Sequence, residues 1–127
     1  MAGNLSDYLE NKLLDHFLGT TSYTMPTTVY IGLYTVAPTD AGGGTQVTGG
    51  SYARQTAAFG AASSGATSNS ANIDFAGMPA ATTVAIGVFD ALTAGNLLLW
   101  GTLTTNKTTD AGDTLRIATG DLDISID

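Results

Sequence analysis

The chain has no cysteine and only four basic residues in 127 positions: Lys12, Arg54, Lys107 and Arg116. Without cysteine it forms no disulfide and no cysteine-ligated zinc site. With a formal net charge of −7 and its few cations scattered along the sequence, it lacks the clustered basic patch that displaces counterions from a phosphate backbone, which excludes nucleic acid as a partner. The same deficit excludes docking on an anionic membrane surface. No apolar run approaches the roughly 18 residues of a membrane span, and the opening "MAGNLSDYLENK" has neither the basic start nor the apolar core of a secretory signal. Charge of either sign is scarce, at 12% of residues, about half the usual share. Thr, Ser, Gly and Ala take its place, a composition suited to exposed β-structure and to surfaces kept against neighbouring subunits.

What is present reads as one helix followed by strands. The length is that of a single domain over residues 1–127. The spacing of Leu5, Tyr8, Leu9, Leu13 and Phe17 predicts an amphipathic helix over 4–18, capped by Asn4 or Ser6 and ended by Gly19. The stretch from Thr27 to Val36, β-branched and aromatic at both parities, predicts a strand buried on both faces. Weaker strands are expected at Ser51–Phe59 and Ala71–Gly77, and stronger ones at Thr82–Ala91 and Asn96–Leu103, the last two joined by the hairpin sequence "LTAG". In the C-terminal segment Leu122, Ile124 and Ile126 alternate with Asp121, Asp123, Ser125 and Asp127, a core face and a wet face. About seven short strands with turn signals between them indicate a mainly β fold, a β-sandwich of which the jelly roll is one form, with an N-terminal amphipathic helix. The small polar stretch 60–72 is expected to be a flexible loop.

The stretch "PTDAGGGTQVTGGSYARQ", Pro38 to Gln55, is the one that most resembles a ligand-binding loop. A phosphate loop runs directly into a helix and carries a lysine followed by Ser or Thr. Here the glycines lead into a strand-like segment and no lysine follows, so they read as turn formers adopting positive φ. The repeated "TDAG" at Thr39 and Thr109 reads as two turns built from the same residues. Catalytic signals are absent: His16 sits on the helix in a structural setting, and there is no G-x-S-x-G elbow. Asp110, Asp113, Asp121, Asp123 and Asp127 match no calcium-loop spacing and read as a solvated acidic face, so no metal and no cofactor are expected. Arg54 calls for a partner, either an aspartate within the chain or a group on a neighbouring subunit. With Gly42, Gly43, Gly44 and Tyr52 it forms the set of candidate subunit-interface residues. Tyr23, Tyr30, Tyr34, Tyr52 and Trp100 are candidates for stacking on sugar rings if exposed, and core residues if not.

Taken together, "LSDYLENKLLDHFLG", "VYIGLYTVAPTDAGGGTQVTGGSYARQ", "GVFDALTAGNLLLWGTL" and "TTDAGDTLRIATGDLDISID" resemble, in order and over nearly the whole chain, a family of small bacteriophage virion structural proteins. Some of its members are labelled tail fibre proteins and others look like capsid decoration or cement proteins. Gln46 departs from the family pattern, where an acidic residue is common, as does "AATTVAIG", where an aromatic often precedes. The resemblance implies a non-enzymatic virion component, assembled in the host bacterial cytoplasm and acting as a homo-oligomer, dimer or trimer. Two roles follow. A capsid decoration protein would clamp the major capsid protein and stabilise the head, and the compact, charge-poor chain without fibre repeats is the expected form of it. A tail fibre or baseplate component would instead bind other tail proteins and recognise the host surface.

Overall fold

The computed structural model describes residues 4–126. A short strand β1 (Asn4–Leu5) leads into helix α1 (Asp7–Phe17), and strands follow: β2 (Val29–Val36), β3 (Thr45–Gln46), β4 (Gln55–Ala57), β5 (Ala66–Ser68), β6 (Ile73–Met78), β7 (Ala81–Phe89), β8 (Leu97–Thr109), β9 (Asp113–Ile117) and β10 (Asp123–Ser125). The helix is shorter than the expected 4–18 because its first residues find partners elsewhere. Asn4 and Leu5 pair with Trp100 and Leu99 of β8, and the Ser6 amide donates to Leu98 O at 2.9 Å. Ser6, not Asn4, is the N-cap: its Oγ accepts from the Leu9 amide at 3.2 Å. Asp7 and Glu10 stand in the first turn, where the helix dipole favours negative charge. Gly19, at φ +81°, lets the chain leave the helix after Leu18.

Strand order in the large sheet is β1-β8-β7-β2, with β3 and β4 sharing the outer edge of β2, and two antiparallel ribbons, β6-β9 and β5-β10, stand apart from it. The inner face of the large sheet, with Ile31, Leu33, Ile86 and Val88, packs with Ile73, Phe75, Leu115, Ile117, Leu122 and Ile124 of the ribbon side. A second cluster, Tyr34, Ala85 and Phe89 with Tyr30 and Leu97, covers the opposite face. β2 is therefore buried on both sides, as its β-branched and aromatic sequence predicts. The fold is mainly β and sandwich-like, but one wide sheet faces two ribbons, in place of the two Greek keys of a jelly roll. Between the segments paired with β4 and β3, the Leu33 amide donates to the Tyr52 hydroxyl at 2.8 Å while Leu33 O accepts from the Val47 amide at 2.9 Å. These two bonds close the gap in the edge of β2.

The structure departs from the sequence reading at four further points. The 60–72 stretch carries β5, which pairs with β10. Its anchor is Asn69, 2% exposed, whose amide nitrogen donates to Ala71 O and Ala118 O, both at 2.9 Å, and whose Oδ1 accepts from the amides of Gly120 (3.1 Å) and Leu122 (2.9 Å). The strand expected at Asn96–Leu103 continues to Thr109, and its polar second half pairs with the start of β7 without any apolar alternation to announce it. Of the helical stripe only Leu9 is buried, while Phe17 is 73% exposed. Ile126 also lies on the surface, at 52%.

Replacing Asn69 with Ala removes all four side-chain bonds and leaves the buried Leu122 amide without its partner. Asn69→Ala is expected to lower the unfolding free energy by about 2–4 kcal/mol, measured by chemical denaturation. A loss below about 1 kcal/mol would show that the 60–72 segment is held by something else.

Candidate binding surface

On the outer face, Gly32 of β2 stands directly opposite Gly87 of β7. A Cβ on Gly32 would lie 2.9 Å from the Phe89 ring, and one on Gly87 would lie 2.9 Å from the Tyr34 ring. The two glycines thus make a floor on which these aromatics lie flat, stacked on each other with centroids 6.3 Å apart. Arg54 closes the stack from above, its guanidinium carbon 3.5 Å from the Phe89 ring centroid. From there it donates to Ala91 O (2.9 Å), Ala94 O (2.8 Å) and Gln46 Oε1 (3.3 Å). Arg54 therefore answers the need for a partner with a ring and carbonyl groups, not with a carboxylate. The ion pair found among the described residues is Arg116–Asp74, at 2.7 Å on the surface.

The Ala91 and Ala94 carbonyls belong to the connection between β7 and β8, where the main chain turns through positive φ at Ala94 and Gly95. Asp90 holds the other side of this turn: Oδ1 accepts from the Asn96 amide at 2.7 Å and Oδ2 from its side chain at 2.9 Å. Burial pushes the Asp90 carboxyl up, but the hydrogen bonds from Asn96 and from its own amide, with the charge of Arg54, leave it below the ordinary aspartate value.

Beside Asp90 the surface opens into a depression of about 400 Å³, lined by Tyr8 of α1, Tyr23, Met25 and Pro26 of the connection after the helix, and Tyr30 of β2. The connection is folded back against the helix end. The Tyr23 amide donates to His16 Nδ1 at 3.1 Å, and the amides of Thr20 and Thr21 donate to Asp15 O at 2.9 and 3.2 Å. The Tyr23 hydroxyl is raised above the usual phenol range by burial, then by the nearby Tyr8 and Asp90, so it stays a neutral donor. Tyr8 also carries Lys12 over its ring, 5.6 Å from the centroid. Phenol rings with hydroxyls and a carboxylate around them can stack on the apolar face of a sugar and accept its hydroxyl protons. Among the described residues, Asp90 is the carboxylate that lines the depression.

Of the tyrosines expected to stack on sugars, Tyr23 and Tyr30 meet here. Tyr34, 3% exposed, belongs to the aromatic stack, and Tyr52 stacks on Phe75 with centroids 6.0 Å apart. Trp100 lies elsewhere, with Nε1 donating to Asp40 Oδ1 at 2.8 Å. Tyr8 and Asp90, which complete the depression, carry no sequence signal for it: one reads as part of a helical stripe and the other as a turn residue. Gly42, Gly43 and Gly44 all adopt positive φ, in a turn closed by reciprocal Thr39 and Gly42 backbone bonds at 2.9 Å. Gly44 tolerates no side chain, since a Cβ would lie 2.6 Å from Val36 O.

Two outcomes follow from this geometry. Arg54→Ala is expected to cost about 1–3 kcal/mol through the lost stack and carbonyl bonds, with backbone NMR shifts concentrated at residues 90–96, and Arg54→Lys is expected not to restore the loss because a point ammonium replaces the planar fork. Because the folded-state pKa of Asp90 is depressed, its contribution is present above the unfolded aspartate pKa and lost as pH falls through the folded value. Asp90→Asn should therefore flatten the acid limb of a stability-versus-pH curve, and an unchanged limb would remove Asp90 as its source.

Comparison with curated proteins finds no match. A family model described as Podophage GP4 fiber I protein gp80 matches residues 4–125. That span takes in the helix, every strand and the tyrosine-lined depression. It favours the fibre role over the capsid decoration expected from compactness and low charge. With nearly the whole chain covered, this protein belongs to that phage fibre family and is a structural component of the virion.

Proposed function

We propose that the chain is a tail fibre subunit that contacts the host surface, with the depression lined by Tyr8, Tyr23 and Tyr30 taking a sugar unit of a surface polysaccharide. The observation that carries this reading is the convergence of three tyrosines from separate segments, with the Asp90 carboxylate, in one open hollow. Sugar rings offer apolar faces for such phenols and hydroxyls for Asp90 and the phenolic oxygens. The function is binding without catalysis, in line with a structural fibre family. Its partners are other tail proteins and copies of itself, as a dimer or trimer. A single hollow of this size binds weakly, and repetition over the copies in a fibre multiplies the effect. Of the residues expected at a subunit boundary, the Gly42–Gly44 turn remains available to a neighbour. Arg54 and Tyr52 direct polar atoms into their own chain.

Particles labelled with gold-conjugated antibody against this chain are expected to carry gold on the tail. Gold spread over the head would overturn the reading in favour of capsid decoration. Purified protein carrying Tyr23→Ala or Tyr30→Ala is expected to lose about tenfold in affinity for polysaccharide extracted from the host, equivalent to about 1.4 kcal/mol. Binding that is unchanged in both variants would remove the depression as the site.

A further inference from the structure

β8 and β9 follow one another through a tight turn. The Asp113 amide donates to Asp110 O at 3.0 Å, and the Asp110 amide to Asp113 Oδ2 at 2.8 Å. Strands joined this way ordinarily pair as a hairpin. These do not: β8 pairs with β7 in the large sheet and β9 with β6 in a separate ribbon. The two arms splay, one to each layer of the sandwich, and a cleft of about 310 Å³ lies between them.

Four features of the cleft point to what it takes. It reaches the main core, lined by Leu33, Ile86, Leu103, Leu115, Ile117 and Leu122. It is bordered by two free strand edges: past Gly101 the outer edge of β8 carries no ladder, and neither does the edge of β9 away from β6, among the described residues. Thr83, also in the lining, is 0% exposed and its hydroxyl has no hydrogen-bond partner, the one such side-chain atom among the described residues. Finally, two of the chain's four cations, Lys107 and Arg116, stand on the walls, where Asp121 is the carboxylate among the described residues. Arg116 is committed to Asp74, at 2.7 and 3.0 Å, while Lys107 has no carboxylate partner among the described residues.

We propose that this cleft receives an extended peptide segment from another virion protein, a strand in which apolar and acidic residues alternate. A period of two fits a strand lying along such an edge: alternate apolar side chains enter the core cavity, while the residues between them stay on the solvent side, where the long, exposed Lys107 side chain reaches their carboxylates. The main chain of the incoming segment supplies partners to the free edges of β8 and β9. An added strand would run between β8 and β9 and make the large sheet continuous with the β6-β9 ribbon. A small amphiphile would fill the cavity without engaging either edge. The inference is independent of the sugar-binding reading, since the cleft and the tyrosine-lined depression share no residue.

The test is an NMR titration of the full chain with an acetylated and amidated peptide of about eight alternating Val and Asp residues. Shifts are expected at the amides of Thr83, Lys107 and Leu115–Ile117. Affinity should fall at least about tenfold for a Val/Lys peptide, at least about tenfold when alternate peptide nitrogens are methylated and cannot pair, and about fivefold in Lys107→Glu. No shifts at millimolar Val/Asp peptide would overturn the proposal. So would equal binding of the methylated peptide, which marks a small-amphiphile cavity, or the same shifts on concentrating the chain alone, which marks a second copy as the occupant.

Discussion

Gly32 and Gly87 face each other at the centre of the large sheet, and neither can carry a side chain without displacing the ring of Phe89 or Tyr34. The need behind this pairing is coverage. The inner face of β2 and β7 packs on the ribbons, whereas the helix contacts β8 and β1, and two adjacent strands of apolar residues cannot be left open to water on their other face. The chain meets the need locally, by laying its own aromatics on bare backbone. That choice propagates outward. Phe89 on the glycine floor gives Arg54 a ring to cover, Arg54 in that position reaches the Ala91 and Ala94 carbonyls, and the turn so held presents Asp90 beside Tyr30. The candidate binding surface is the rim of a solution to a packing problem.

This explains what the sequence discloses and what it hides. The double burial of β2 is legible because it is written in consecutive residues from Thr27 to Val36, and the β7–β8 hairpin because "LTAG" follows a strand directly. Ser6 is legible as a cap because capping is a bond over three residues. Asn69 is not, since its partners Ala118, Gly120 and Leu122 lie far along the chain and a buried amide looks like any loop asparagine. The partner of Arg54 is hidden for a different reason. Electrostatic reasoning in an acidic chain points to an aspartate, whereas the fold supplies a ring and two carbonyls whose loop geometry no composition encodes. Tyr8, Tyr23, Tyr30 and Asp90 meet only because the connection after α1 folds back on the helix through His16 and Asp15.

Low charge, which first suggested a surface kept against neighbours, takes a particular form in the fold. Leu14, Phe17 and Leu18 crowd one end of the helix at 58%, 73% and 78% exposure, and Met25 follows at 75%. A free monomer seldom leaves such a series uncovered. A structural component of a virion is held against other proteins of the particle, so exposed apolar groups that would be a liability in a solitary protein suit this family.

The same tension governs the sheet edges. A sandwich made from one wide sheet and two narrow ribbons cannot close on itself as a barrel does, so some strands must end with unpaired backbone. The sequence treats these edges as soluble proteins do, with Thr104, Thr105, Asn106, Lys107 and Thr108 along the open half of β8, all exposed and none apolar. Between Thr102 and Lys107 the strand also bulges, Leu103 to Asn106 standing against Val84 alone, and a bulge turns an edge away from casual pairing. Polarity and a bulge guard against indiscriminate strand addition but leave the backbone itself unsatisfied. An edge so guarded, next to apolar core and a buried hydroxyl without a partner, discriminates between strands by side-chain chemistry while keeping main-chain hydrogen bonding in reserve for the right one.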